Sequence, residues 1–214
     1  MFITFEGPDG SGKSTQIKFA KEYLENKGFE VVTTRDPGGT SLGIKLREIL
    51  LNYDGDICSL TEMLIFLADR AQHVEYKIKP LLAQGKIVLC DRYIDSTVAY
   101  QGYARGLSVD AAEYMNNIAT QNFMPDLTFL FNLPVETTME RVAKQGTKDR
   151  LESEMREFHQ KVIDGYLDIA RRNPDRFRVI DGNKPVEEVS AAVKLALETF
   201  IKQNAIIINK LKTR

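Results

Sequence analysis

Eight consecutive residues, Gly7-Pro8-Asp9-Gly10-Ser11-Gly12-Lys13-Ser14, fit the pattern G-x-x-x-x-G-K-[ST] and follow directly on the apolar run Met1-Phe2-Ile3-Thr4-Phe5. A strand that runs into a glycine loop and reopens as a helix leaves few architectures open, because that connection belongs to parallel sheets flanked by helices. Glycines at 7, 10 and 12 admit positive φ and gather several backbone N–H groups into a concave donor site for a row of phosphate oxygens. Lys13 adds a cation at the β/γ end. The helix opening near Lys13 points its positive end at the same phosphates, and the Ser14 hydroxyl is placed to ligate Mg²⁺. Residues Gly7 to Ser14, with Thr15 beside them, are therefore the expected nucleotide-binding segment.

With 214 residues the chain suits one domain with a substantial core, expected to span 1–214. Its 29 basic and 30 acidic residues leave a net charge of −1, so no global field recruits nucleic acid or an anionic membrane, and a polyphosphate must be met by local cations. Cys58 and Cys90 offer neither a disulfide framework nor metal-ligand spacing, which suits a reducing compartment. No apolar run approaches the ~18 residues of a membrane span, and the chain enters a strand without a signal-like segment, so a cytoplasmic protein is expected.

Further strands are expected at Phe29–Thr34, Lys86–Asp91, Leu127–Leu133 and Phe177–Asp181. Between them the apolar period is helical, including Val109–Thr120, Val135–Lys144 and Glu152–Arg172, with a final helix opening at Pro185. The fold class expected is therefore α/β: a five-stranded parallel sheet covered by helices on both faces, in three layers, like the phosphate-loop (P-loop) NTPases. Gly102–Gly106 reads as a break in the helical pattern, 144–151 on composition alone as a solvated charged loop and, if a phosphoryl donor is to be covered, as a lid segment, and 204–214 as an added helix turn or a loosely docked tail.

In such sheets ligands collect at the carboxyl ends of the strands, where Arg35, Asp91-Arg92 and Asp181 fall beside the glycine loop. Asp91 closes a buried strand in the position of a Mg²⁺-associated carboxylate. The helix expected at 59–83 is apolar on every face over Met63–Ala68, yet Glu62, Phe66, Arg70 and His73 fall on one stripe, as the wall of a pocket would. On spacing alone Phe66 is equally a core residue, and Arg70 a structural partner of Glu62 or Asp69. Arg35 and Arg92 facing the loop would grip a second anionic group, which makes the acceptor itself a phosphate monoester, while Arg150 or Lys148 closes over the donor from the lid.

Thr34-Arg35-Asp36-Pro37-Gly38-Gly39-Thr40, the run Glu62 to His73, Asp91-Arg92-Tyr93 with Ser96 and Ala99-Tyr100-Gln101-Gly102, and Asp149-Arg150-Leu151-Glu152 together resemble the signature blocks of bacterial thymidylate kinases, in their order and spacing. The resemblance implies transfer of the ATP γ-phosphoryl group to dTMP with Mg²⁺, in a homodimer. It assigns Asp9 to the acceptor's 3′-hydroxyl and phosphate, Arg35 and Arg92 to that phosphate, Phe66 to stacking on the base and Arg70 to its O4. Thr97 and Gln101 are assigned to the base edge and Tyr100 to the sugar 2′ position. Lys13, Arg92, Arg150 and Asp9 are the implied catalytic groups, with Ser14 and Asp91 on the metal. Asp36 replaces the Glu usual in that family, and Gly10 leaves the loop without an arginine, which matches the subclass that draws its cation from the lid. Kinases for another monophosphate or a deoxynucleoside, and a nucleotide sensor using the same loop, are the alternatives; a sensor needs no acceptor clamp.

Overall fold

A computed structural model describes residues 1–144, 149–152 and 154–204. Five strands, β1 (Phe2–Glu6), β2 (Val31–Arg35), β3 (Ile87–Asp91), β4 (Leu127–Asn132) and β5 (Phe177–Asp181), pair in parallel in the order β2-β3-β1-β4-β5. Covered on both faces, the central strands have no polar side, which is why each reads as an apolar run. β1 is buried along its whole length.

Alternation of side chains across the sheet divides the core into two layers. On one face Ile3, Phe5, Leu89 and Phe129 meet Ile17, Ala20 and Leu24 of α1 (Lys13–Glu25) and Val189, Val193 and Leu197 of the last helix, Val186–Gln203. On the other, Phe2, Val88 and Cys90 pack on Val74, Ile78 and Ile94, while Leu130 meets Met63, Leu67, Val98 and Val162. Each fully buried aliphatic side chain here contributes roughly 1.5–3 kcal/mol. The second face is covered by α2 (Ser41–Asn52), α3 (Ser59–His73), α4 (Lys79–Ala83), α5 (Ile94–Thr97), α6 (Val109–Thr120) and α8 (Arg156–Arg172), with α7 (Val135–Ala143) against α8, before α9 (Val186–Gln203) returns to the first.

The helix expected over 59–83 runs without a break but loosens into a π-helical stretch, Val74–Ile78, between α3 and α4. A second π-helical stretch, Val98–Ala104, continues α5 through the break expected at Gly102–Gly106. Tertiary packing overrides the first glycine: Gly102 is buried within the helical stretch beside Val109 and Ala112 of α6, and the chain turns only at Gly106, φ 75°. The wide turn holds Tyr100 and Gln101, both buried. α8 starts at Arg156, later than expected, because the Asp149 carboxylate accepts from the N–H groups of Leu151 and Glu152 and ties that segment into a turn. No helix among the described residues is long and apolar enough to cross a membrane. Residues 145–148, with Lys148, and residues 205–214 of the tail lie outside the described residues.

Candidate active site

The glycine loop joins β1 to α1 at the carboxyl edge of the sheet. Gly7 has φ 136°, and a Cβ there would stand 2.6 Å from the Phe131 carbonyl oxygen on β4, so only glycine lets the loop lie against the sheet. Lys13 Nζ folds over its own loop and donates to the carbonyls of Pro8 (2.8 Å) and Gly7 (3.1 Å). Burial, and next the nearby Arg92 charge, bring the Lys13 pKa down to about 8 against the opposing pull of Asp91, Asp9 and Glu6. Gly10 to Thr15 line a cleft together with Arg35, Asp91, Arg92, Arg141 and Lys144. Ser14 and Asp91 face this cleft, and Asp91 Oδ1 is buried with no hydrogen-bond partner among the described residues. Two hard oxygen ligands in one cleft, one of them unpartnered, fit a magnesium ion.

Beside the cleft lies a second cavity, partly open to solvent, with Phe66, Arg70, Thr97, Tyr100 and Gln101 in its wall. Arg92 stands between the two. It follows the last residue of β3 with φ 67°, a left-handed conformation that costs a non-glycine residue energy and turns its side chain back over the loop. There Nη2 donates to Asp9 Oδ1 (2.6 Å) and the Tyr100 hydroxyl (3.2 Å), and Nη1 to the Gly7 carbonyl (3.0 Å) and the Tyr166 hydroxyl (3.0 Å). Tyr100 in turn donates to Asp9 Oδ2 at 2.9 Å. Burial would raise the Asp9 pKa, but Arg92 and Lys13 hold it well below the ordinary carboxylate value. Beneath Arg92, the fully buried Glu6 accepts from Tyr93 N (2.7 Å), Ser96 (2.7 Å) and Tyr166 (2.9 Å); burial and then Asp95 push its pKa up to about 7.

Arg70 is 1% exposed and braced on three sides. Nε and Nη2 straddle the Asp36 carboxylate at 3.2 and 2.8 Å, and Nη1 donates to Thr97 Oγ1 and Asn116 Oδ1, both at 2.6 Å. A guanidinium has five N–H groups. Four are taken here, leaving one on Nη2 in a side chain that lines the cavity. Burial would raise the Asp36 pKa, but Arg70 and His73 hold it low. Asp36, Asp69 and His73 bring ligand-type atoms within 4.8 Å of one another, yet both Asp36 oxygens are already committed to Arg70, so the trio serves charge balance. Phe66 reconciles both expectations for it, packing against the second core layer while lining the cavity.

Other side chains make contacts that the sequence did not give. Thr97 spends its hydroxyl on Arg70. Arg35 lines the donor cleft and not the second cavity, with no ion-pair partner among the described residues. Arg150 is turned away from the loop: Nε donates to the Leu50 carbonyl (3.0 Å) and Nη2 pairs with Glu62. Two arginines escaped the sequence reading. Arg47 on α2 lines both cavities, and Arg141 on α7 donates to the carbonyls of Gly10 (3.3 Å) and Gly182 (3.2 Å). Both sit in ordinary amphipathic helices, and only their place near strand ends signals a site.

The family model described as thymidylate kinase matches residues 5–193. Thymidylate kinase of Carboxydothermus hydrogenoformans is 49% identical over 197 residues, 92% of this chain and 96% of the relative. That of Desulfovibrio desulfuricans is 43% identical over 211 residues, 95% and 97% of the two chains. The crystal structure of thymidylate kinase from Ehrlichia chaffeensis superposes with a TM-score of 0.75 at 40% identity, covering 92% of this chain and 98% of that one. A phosphate loop, an adjoining cavity walled by Arg92, Arg70 and Phe66, and matches over nearly the whole chain agree: the chain belongs to the thymidylate kinase family.

Proposed function

We propose that the cleft and the cavity are the donor and acceptor halves of one phosphoryl-transfer site. The enzyme transfers the γ-phosphoryl group of ATP to dTMP, giving ADP and dTDP. The observation that carries the division of labour is that the two spaces share Asp9, Asp36, Arg47 and Arg92, so a donor triphosphate and an acceptor monophosphate would meet across a wall of two carboxylates and two guanidiniums. Phosphoryl transfer asks mainly for such positioning and charge neutralisation.

The loop N–H groups and Lys13 hold the donor, as ATP-binding residues Gly7 to Thr15. Mg²⁺ held by Ser14 and Asp91 supplies neutralisation of the developing phosphoryl charge. Arg92 binds the acceptor phosphate with Arg47, which lines both spaces, whereas of the two Arg35 lines the donor cleft alone. Asp9 reaches the sugar hydroxyl, and Tyr100, fixed by its bond to Asp9, walls the 2′ side. Phe66 stacks on the base. The remaining Arg70 N–H donates to thymine O4, whereas cytosine would turn an amino donor toward it, a mismatch that discriminates strongly. Thr97 acts on the base through Arg70. Arg150 reaches the transferring phosphoryl group only after leaving Glu62.

We read the whole chain as one kinase domain, because a single sheet carries both halves of the site. Leu60 and Leu64 on α3 and Tyr114 and Ile118 on α6 are exposed apolar residues on neighbouring helices, which supports a homodimer through that face. The exposed free thiol of Cys58 suits a reducing, cytoplasmic setting. The test is ADP release with Mg-ATP against a panel of nucleoside monophosphates. dTMP is expected to exceed dCMP and AMP by at least ~10²-fold in kcat/KM; equal turnover of the three would end the acceptor reading.

A further inference from the structure

We propose that Glu62 determines the choice of base without touching it, by fixing which end of the Gln101 amide faces the acceptor cavity. The proposal rests on the reading that Gln101 meets the acceptor base. Glu62 is fully buried on α3 and is absent from the cavity wall, whereas Gln101 is 1% exposed and forms part of it. Gln101 Nε2 donates to Glu62 Oε1 at 2.9 Å. An ionised carboxylate only accepts, so the amide has one stable orientation, with nitrogen toward Glu62 and oxygen left for the cavity. The reverse would press two oxygen acceptors together inside the protein.

The carboxylate is held in place for this task. Arg105 grips it side-on, Nε to Oε1 and Nη2 to Oε2, both at 3.1 Å, and is itself tied through Nη1 to Glu154 and laid over the Phe158 ring at 4.6 Å. Burial would raise the Glu62 pKa, but the bonds from Arg105, Gln101 and Arg150 outweigh it and keep the group ionised. Because Arg105 contacts both oxygens, Glu62 keeps its place and charge without Arg150. The outward Gln101 oxygen accepts from the N3–H of thymine or uracil and opposes the N3 lone pair of cytosine. Glu62 thus reinforces at N3 the discrimination that Arg70 exerts at O4.

The test compares kcat/KM for dTMP and dCMP in wild type, Glu62→Gln, Gln101→Leu and the double variant, with thermal unfolding of each. An amide at 62 meets Gln101 in either orientation, so E62Q is expected to lower the dTMP/dCMP ratio tenfold or more, through KM for dTMP; any change that the loss of the Arg150 pair makes in kcat is common to both substrates and cancels in the ratio. Q101L should lower the ratio at least as far, and E62Q should add nothing on top of it. An unchanged ratio in Q101L would end the reading of Gln101 and the proposal together. A lowered ratio in Q101L with a wild-type ratio in E62Q, or independent effects that multiply in the double variant, would overturn the role of Glu62 alone. Should E62Q fail to fold, Glu62→Asp keeps the charge while withdrawing it from Gln101; the same fall in ratio supports the proposal and a wild-type ratio overturns it.

Discussion

The donor cleft and the acceptor pocket lie side by side, yet they are held in shape by different means. Around the phosphate loop, main chain makes the form: Gly7 lies against the Phe131 carbonyl, and Lys13 is tied to the carbonyls of Gly7 and Pro8. Across the wall the form is made by charged side chains drawn from distant segments, Arg70 on Asp36, Arg92 on Asp9 and Arg105 on Glu62. A backbone cradle binds any polyphosphate, so it cannot choose the reaction. In the function proposed above, selection falls to Arg70, which keeps one N–H on Nη2 because its other four are taken.

The difference makes the acceptor side the easier to break. Asp36→Ala would leave the buried Arg70 guanidinium without its carboxylate, and a loss of about 3–5 kcal/mol in urea unfolding is expected; a loss below ~1 kcal/mol would mean that the pair does not brace the pocket. Arg150→Ala is expected to lower kcat by on the order of 10²–10³ with KM for dTMP little changed. An unaltered kcat would remove Arg150 from catalysis and leave it the structural role of its bond to Glu62. Phe66→Ala removes a stacking surface of roughly 1–3 kcal/mol and should raise KM for dTMP by about 10–100-fold. Lower stability with an unchanged KM would return Phe66 to the core alone.

The donor side yields the smallest effect, a pH dependence with opposite signs in activity and stability. Lys13 titrates near 8 in the fold against 10.5 when free, so kcat/KM for ATP should fall up to tenfold per unit above about pH 8. Between those values the unfolded chain binds more protons at this residue than the native one, so its contribution to stability improves as pH rises. Parallel changes in activity and stability would assign the transition to another group.

Those two means of construction also explain what the sequence made legible. The phosphate loop and the five strands depend on local pattern, so their places were readable to within a few residues. The partners of the arginines were not, because Arg70 meets a residue 34 positions away and Arg150 one 88 positions away. Spacing suggested Glu62 or Asp69 as the partner of Arg70, both on its own helix; the fold supplied Asp36 from the end of β2 instead. The resemblance assigns Thr97 to the base edge but says nothing of its partners: in the fold Thr97 lines the cavity and its hydroxyl also holds Arg70. Arg47 and Arg141 went unseen because a helix that merely ends beside a strand terminus carries no periodic mark of it. The break expected at Gly102–Gly106 comes at its far end: the helical stretch runs on through Gly102 to Ala104, and the chain turns at Gly106.

Contiguity of the two compartments is the central claim, and a bisubstrate probe reads it directly: adenosine and thymidine joined 5′ to 5′ through a chain of phosphates long enough to cross the shared wall. Inhibition competitive with both ATP and dTMP, at concentrations at least ~10²-fold below the KM of either, is the result the geometry predicts. Competition with one substrate only, at an affinity no better than that of a single nucleotide, would contradict it.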